Sequence, residues 1–136
     1  MRQNPDLTLC DLRLNNILQV ITYMLYLIMV WTVETLDQTV DKELEALPTD
    51  MRARFVWVSQ LIEIHGLQNV REPYIKHVED VLWEIRMKGK DGISRALYVT
   101  AKLKRVVVVR VFVKKTQKTP RREIKLALKR AQEIEQ

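Results

Sequence analysis

Hydrophobic and charged residues alternate along residues 81–88, VLWEIRMK, with the period of two that is typical of a half-buried strand. The Asp91-Gly92 pair that follows favours a tight hairpin turn, and residues 93–100, ISRALYVT, predict the returning strand. A second turn after Ala101 leads into residues 106–114, VVVVRVFVK. The last third of the chain therefore predicts three antiparallel strands.

The same alternation predicts which face of these strands is charged. In the third of them, one side is expected to pack under helices, and it comprises Val107, Val109, Val111 and Val113. The opposite face is expected to carry a row of charged and aromatic side chains: Glu84, Arg86, Lys88, Arg110, Phe112 and Lys114. A core face and a charged face are thus both predicted for this part of the sheet.

The region before these strands predicts one more strand and two helices. Residues 31–36, WTVETL, have the β-branched and aromatic content of a short strand. Two stretches with apolar residues at helical spacing follow on either side of Pro48, which favours an antiparallel helical hairpin. Asp37 is the expected N-cap of the first helix, and Gly66 is expected to end the second.

The remaining segments complete the predicted fold. Residues 66–80 are interpreted as a connecting segment before the strands. Thr119 and Pro120 are expected as N-cap and first residue of a final helix with an apolar stripe. The predicted class is α+β, with an antiparallel sheet of about four strands, an N-terminal helical hairpin on one face and a C-terminal helix.

The first residues of the chain differ from this pattern. Residues 17–31 form an apolar run of about fifteen residues, which is shorter than the about 20 that a membrane span requires. Asp6 and Asp11 argue against a signal peptide. Residues 1–29 are interpreted as an extension that the domain of residues 30–136 does not need. An over-long start assignment or a membrane-surface helix would account for it.

Charge is distributed unevenly along the chain. The net charge is +6, yet residues 1–85 hold 7 basic and 13 acidic side chains, whereas residues 86–118 hold 11 basic side chains against Asp91. A basic block within strand-like sequence favours a polyanionic partner such as nucleic acid over an evenly solvated surface. The chain has one cysteine, Cys10, which excludes an internal disulfide framework and makes a reducing cytoplasm the expected location.

The sequence contains no phosphate-binding loop, nucleophile elbow or paired metal carboxylates. RNA, however, carries its own nucleophile in the 2′-hydroxyl, and pre-placed guanidinium and ammonium groups stabilise the anionic transition state of its attack on phosphorus. No metal or other cofactor is expected for such a reaction. The candidates for the general base are Glu84, His77 and Tyr98, and for Glu84 a structural ion pair with Arg86 is the alternative.

The stretches LWEIRMKGKDGISRALYV (82–99) and VFVKKTQKTP (111–120), with the closing helix, resemble the RelE/ParE toxin superfamily, in particular its phage-derived HigB-like branch. This resemblance implies a toxin that cleaves messenger RNA on the ribosome and is encoded beside a helix-turn-helix antitoxin. It implies no membrane partner for the domain. The resemblance implies Arg86, Arg95, Lys114 and Lys115 as catalytic residues, and the strand pattern adds Glu84 as a catalytic candidate. The expected RNA-binding residues are Lys76, Lys88, Arg110, Phe112 and Lys118.

Two departures from RelE concern the catalytic groups. Glu84 replaces the first of two strand lysines, and the last helix has no tyrosine. Two other functions therefore stay open: a ParE-like inhibitor that binds gyrase, and an RNA-binding module without catalytic activity.

Overall fold

The structure, a computed structural model, describes residues 9–134, with side chains from residue 13 onward. These residues fall into two units, of which the second begins at Trp31. The first unit contains helix α1 (Leu9–Met29), whose apolar side chains from Leu14 onward are exposed. None of the described helices combines the length and hydropathy needed to cross a membrane. That residues 1–29 are dispensable stays a prediction.

The second unit contains a mixed sheet and three further helices. Among the described residues, five strands lie in the order β1-β5-β4-β3-β2; β1 runs parallel to β5, and the other neighbours are antiparallel. The elements in chain order are β1 (Thr32–Thr35), α2 (Gln38–Glu45), α3 (Thr49–His65), a 3₁₀ turn (Leu67–Asn69), β2 (Ile75–Glu79), β3 (Leu82–Gly89), β4 (Gly92–Ala101), β5 (Arg105–Lys114) and α4 (Arg121–Ala131).

The α+β class, the two consecutive helices and the C-terminal helix are confirmed, whereas the sheet prediction was wrong in two respects. The sheet has five strands instead of about four, and it is mixed instead of antiparallel. The additional strand, β2, lies in the segment interpreted as a connection. Because it is an edge strand with mostly exposed or half-buried residues, it lacks the apolar alternation that marks β3.

Helices cover both faces of the sheet and create two cores. On one face, residues of α2 and α3 such as Val40, Met51 and Ile62 pack against Ile85 and other sheet residues. On the other face, Ile124, Ala127 and Ala131 of α4 pack against part of the sheet, including Leu97, Val109 and Phe112. Helix α4 therefore covers one end of the second face. The prediction that this face is charged along its whole length was wrong for the part under α4.

A β-bulge changes which side chains of β5 share a face. Leu97 pairs with Arg110, but the next residue, Tyr98, pairs with Val108, so Val109 is an extra residue in β5. Val111 consequently lies in the core under α2 and α3, whereas Val109 lies in the core under α4. The prediction of a common valine side was wrong because strict alternation does not continue through a bulge.

The helix ends and hairpins follow the local sequence closely. Asp37 Oδ1 accepts a hydrogen bond from Val40 N at 3.1 Å, so the predicted N-cap of α2 is confirmed. Gly66 ends α3 with φ +87°, which a residue with a side chain rarely adopts. At the β3–β4 turn, Asp50 Oδ2 of α3 accepts a hydrogen bond from Lys90 N at 2.6 Å, and this bond lowers the pKa of Asp50. The turn is thereby attached to the helical layer.

Gly89 allows this close approach, and we expect Gly89→Ala to destabilise the fold. A Cβ at residue 89 would lie 2.7 Å from Met51 Cγ and 2.8 Å from Asp50 Oδ2, so α3 or the turn must shift. The expected loss in the free energy of unfolding is about 1 to 3 kcal/mol, measured by urea denaturation. Lys90→Ala is the control, because it keeps the backbone donor to Asp50. Equal stability of both variants would contradict the proposed steric limit.

Candidate functional site

The register of the sheet brings the predicted charged residues into adjacent rows. Arg86 of β3 pairs with Arg95 of β4, and Lys76 of β2 pairs with Glu84 of β3. Because residues two apart on a strand project from the same face, Glu84 and Arg86 share one side of the sheet. The basic groups of three strands thus meet beside a single carboxylate.

Glu84 lies at the centre of this group and is 3% exposed. Its Oε1 accepts a hydrogen bond from Arg86 Nε at 3.1 Å, and Arg95 Nε lies 3.3 Å from the same oxygen as an ion pair without hydrogen-bond geometry. Its Oε2 accepts a hydrogen bond from Thr119 Oγ1 at 3.1 Å. Both carboxylate oxygens are therefore engaged, one by the two arginines and the other by a hydroxyl.

Thr119 was expected to cap α4, and the structure assigns its hydroxyl a different partner. The residue before α4 is Pro120, and it makes no side-chain capping bond. The hydroxyl of Thr119 donates instead to Glu84 across the sheet. The predicted N-cap was wrong because α4 begins after Pro120, whose side chain has no oxygen to accept from the first backbone N–H groups of the helix.

Burial of Arg95 is unusual for a charged residue. Its side chain is 4% exposed, and this burial lowers its pKa, whereas the nearby Glu84 raises it. An arginine stays protonated at physiological pH even with a lowered pKa, so Arg95 is a permanent buried cation. The Glu84 carboxylate is the counter-charge that such burial requires.

Lys114 stands at the end of β5, beside the same group. The pKa of Lys114 is lowered, mainly by burial and further by the charges of Arg95, Arg86 and Lys76. The charge of Glu84 acts in the opposite direction and raises this pKa. Four cations and one carboxylate therefore interact at this place. This group (Lys76, Glu84, Arg86, Arg95 and Lys114) is called the cationic cluster below.

Two cavities open onto the cationic cluster, and Arg86 and Arg95 border both of them. The larger has a volume of about 530 Å³ and is formed with Lys114, Lys115 and the loop that follows β5. The smaller, of about 280 Å³, combines basic and apolar side chains. Its other lining residues are Arg54, Pro73, Tyr74, Lys88 and Ile93. The site therefore offers one strongly basic compartment and one with an apolar wall.

Arg110 and Phe112 lie outside both cavities, although the sequence predicted them to bind RNA. Arg110 forms ion pairs with Glu43 of α2 at 2.7 Å and with Glu123 of α4 at 2.6 Å. Phe112 is 9% exposed and belongs to the core under α4, so its ring is not open for stacking. Both side chains are therefore engaged within the fold and lie apart from the cavities.

The other two candidates for the general base also lie elsewhere. His77 pairs with Trp83, and their rings are 4.9 Å apart; its neighbour Lys76 faces Glu84, so His77 projects from the opposite face. Tyr98 is buried in the core under α2 and α3, and this burial raises the pKa of its hydroxyl. Both side chains line a different cavity, which Arg86, Arg95 and Lys114 do not border.

The sequence did not predict a functional role for Thr119, Arg54 or Tyr74. Arg54 and Tyr74 line the smaller cavity. Arg54 stacks over Trp57 at 5.1 Å, and the edge of Trp57 meets Tyr74 at 5.0 Å. Arg54 lies on an exposed part of α3, where a basic residue carries no distinguishing signal. Tyr74 was missed because β2 was interpreted as a connection.

Comparison with known proteins identifies the family. A family model described as phage-derived, Gp49-like protein matches residues 42–132, more than half of the chain. The chain belongs to this family. No curated protein matches the sequence. The crystal structure of the archaeal RelE-RelB complex from Pyrococcus horikoshii OT3 contains a similar chain, with 20% sequence identity and a TM-score of 0.50. The match covers 64% of this chain and 98% of that one.

These matches confirm the predicted phage-derived family and the RelE-like fold. At 20% identity the similarity to the archaeal structure shows the fold, and the roles of individual residues stay predictions. The Gp49-like match includes all of α3 and the four strands that carry or border the cationic cluster. Within residues 13–134, no group of three His, Cys, Asp or Glu side chains is arranged to hold a metal ion.

The lowered pKa of Lys114 predicts an early loss of RNA affinity at alkaline pH. Lys114 loses its positive charge as the pH rises through its folded-state pKa, which lies below the ordinary value of 10.5. In Lys114→Arg the charge persists, so the affinity for a short single-stranded RNA should decline at a higher pH than in the wild type. Fluorescence anisotropy at constant ionic strength measures this. Parallel affinity curves for the wild type and Lys114→Arg would contradict a role of the Lys114 charge in this pH dependence. Lys114→Met lacks the charge and should show low affinity at every pH.

Alanine substitution should affect stability at Arg110 and the salt dependence of RNA binding at Arg86. Arg110→Ala removes a cation that contacts both Glu43 and Glu123, while Glu43 keeps its ion pair with Arg130 at 2.9 Å, so we expect the free energy of unfolding to fall by about 2 kcal/mol, with the salt dependence of RNA binding unchanged. Arg86→Ala should instead lower the slope of log affinity against log salt by about one. Denaturation and anisotropy titrations measure the two effects. A reduced salt slope in Arg110→Ala would return Arg110 to the RNA surface.

Proposed function

We propose that this chain is the toxin of a toxin-antitoxin pair and that it cleaves messenger RNA on the ribosome. The observation that carries the proposal is the convergence of Arg86, Arg95 and Lys114 at one cavity of about 530 Å³. Membership of the Gp49-like family and the RelE-like fold support the toxin assignment. The position of the basic residues supports RNA as the substrate.

The chemistry that suits this site is attack by the 2′-hydroxyl of RNA on the adjacent phosphorus. The O–P bond that forms gives a cyclic phosphate, and the bond to the 5′-oxygen of the next nucleotide breaks. Negative charge increases on the phosphoryl oxygens in the transition state, and preorganised cations stabilise it more than the ground state. Arg86, Arg95 and Lys114 are proposed to supply this stabilisation, and Lys115 extends it into the loop.

Lys114 is also proposed to transfer a proton during the reaction. Burial and the charge of Arg95 lower its pKa, so a larger fraction of this amine is neutral near physiological pH than for an exposed lysine. A neutral amine can accept the proton of the 2′-hydroxyl, and the resulting ammonium can donate to the departing 5′-oxygen. The Lys114→Arg variant separates these roles because it keeps the charge but exchanges protons poorly.

The two cavities are proposed to hold successive parts of the RNA. The smaller cavity has Pro73, Tyr74 and Ile93 on its wall, and these apolar surfaces suit an unstacked base. The larger cavity is suited to the phosphate. Lys76, Lys88 and Lys118 are proposed to contact the flanking backbone, where each basic contact adds to the salt dependence of binding.

The antitoxin is the proposed partner that silences this surface. The archaeal structure is a complex of RelE with RelB, and by analogy this chain is proposed to bind a protein with the role of RelB. An acidic segment would be attracted by the cationic cluster and would exclude RNA from both cavities. A helix-turn-helix domain in that partner is a prediction from the HigB-like resemblance.

Removing three basic side chains together should abolish toxicity while the fold persists. For Arg86→Ala with Lys114→Ala and Lys115→Ala we expect RNA cleavage to fall by more than about 10²-fold, since one lost transition-state contact alone costs about that much. Growth after induction and the mapping of new 5′ ends in cellular messenger RNA measure the two effects. The control is Arg122→Ala with Lys125→Ala and Lys129→Ala, which removes the same charge from the exposed side of α4.

The outcomes separate three functions. New 5′ ends with the wild type and the control, but not with the triple variant, support cleavage at the cationic cluster. Growth arrest with intact messenger RNA and increased DNA damage would instead indicate a gyrase inhibitor. Salt-sensitive RNA binding without any new 5′ ends would indicate an RNA-binding module.

A further inference from the structure

We infer that Glu84 is a positioning residue and that Thr119 fixes it, so that one buried carboxylate couples the loop after β5 to the arginines of the sheet. This inference deepens the proposed function and depends on it for its kinetic consequence. It assigns a role to Thr119, and it replaces the role of general base for Glu84.

The surroundings of Glu84 are unfavourable for a general base. A base must come within about 2.6–3.2 Å of the proton that it removes. Glu84 is 3% exposed, and each of its oxygens already accepts a hydrogen bond. To reach a 2′-hydroxyl, the carboxylate would have to leave Arg95 without its counter-charge, and a buried unpaired cation is costly.

The same geometry suits the orientation of the guanidinium groups. Arg86 of β3 donates a hydrogen bond from Nε to Oε1 of Glu84 at 3.1 Å, and Nε of Arg95 on β4 lies 3.3 Å from the same oxygen as an ion pair. A planar guanidinium that is fixed at Nε has little freedom to rotate. One carboxylate therefore fixes the direction of Arg86 by a hydrogen bond and holds Arg95, on the next strand, by charge.

Thr119 completes this arrangement from the other side. Its hydroxyl donates to Oε2 at 3.1 Å, across 35 positions of the chain, while Pro120, at the capping position of α4, supplies no side-chain acceptor. Residues 115–120 connect β5 to α4 and carry Lys115 and Lys118. Contact with Glu84 thus holds the end of this basic loop against the sheet, beside the larger cavity.

Replacement of Thr119 tests the inference without changing any charge. Thr119→Val keeps the shape of the side chain but removes the hydroxyl, and Thr119→Ser keeps the hydroxyl. We expect Thr119→Val to lower kcat on ribosomes programmed with messenger RNA by about tenfold with little change in KM, the usual effect of one lost hydrogen bond to a charged group. Thr119→Ser should restore kcat to within about twofold. Thr100→Val, at an exposed threonine of β4, is the matched control.

Substitution of Glu84 distinguishes positioning from base catalysis. Glutamine retains an acceptor for the arginines and offers a donor to the Thr119 hydroxyl, so Glu84→Gln should keep at least about tenfold more activity than Glu84→Ala. A general base would be lost equally in both variants. Equal loss of activity in Glu84→Gln and Glu84→Ala, together with wild-type activity of Thr119→Val, would overturn the inference.

A measurement without RNA separates this inference from the proposed function. In ¹⁵N spectra of the full chain, the Nε–H proton of Arg86 should exchange with water faster in Thr119→Val than in the wild type and Thr119→Ser. If the wild type cleaves no RNA but this exchange changes as expected, the proposed function fails and the positioning of Arg86 stands. If the exchange rate does not change, Thr119 does not hold the arginine through Glu84, and the inference fails whatever the cleavage assay shows.

Discussion

The burial of a guanidinium next to other cations requires a buried anion, and the contact of Arg95 with Glu84 satisfies this constraint. The two side chains are 4% exposed each and lie on adjacent strands. Without the carboxylate, Arg95, Arg86 and Lys114 would repel one another in a poorly solvated place. The fold can therefore accommodate this cluster of cations, which suits phosphate binding, because the buried carboxylate of Glu84 lies among them.

The position of α4 decides which part of the second sheet face becomes a site. The helix covers Leu97, Val109 and Phe112 and leaves the end of the face with Arg86, Arg95 and Lys114 beside the cavities. Glu123, in the first turn of α4, is held by Arg110 of β5 at 2.6 Å. Thr119 lies four residues before Glu123, in the loop that leads into this helix. Arg110 therefore holds the start of α4 and borders neither of the two cavities.

The sequence predicted the parts of the structure that depend on local pattern. Alternation along β3 placed Glu84 and Arg86 on one face, and the Asp37 cap was evident from its position before an apolar helical pattern. The edge strand β2, the parallel pairing of β1 and the bulge at Val109 depend on partners distant in the chain, and local spacing does not encode them. The same reason explains why Thr119 was interpreted as a cap: its acceptor is 35 residues away.

Glu84 has two physical effects on the cationic cluster, and they differ in kind. Its charge raises the pKa of Lys114 against the opposite effect of burial and the nearby arginines, whereas its hydrogen bond with Arg86 fixes where that guanidinium points. Any substitution that removes the carboxylate alters both effects at once, so a loss of activity at residue 84 does not by itself reveal a proton transfer. The hydroxyl of Thr119 is neutral and contacts the oxygen opposite the arginines. Geometry and charge at this site can therefore be separated at Thr119, where a change loosens the carboxylate but leaves the charges around Lys114 as they are.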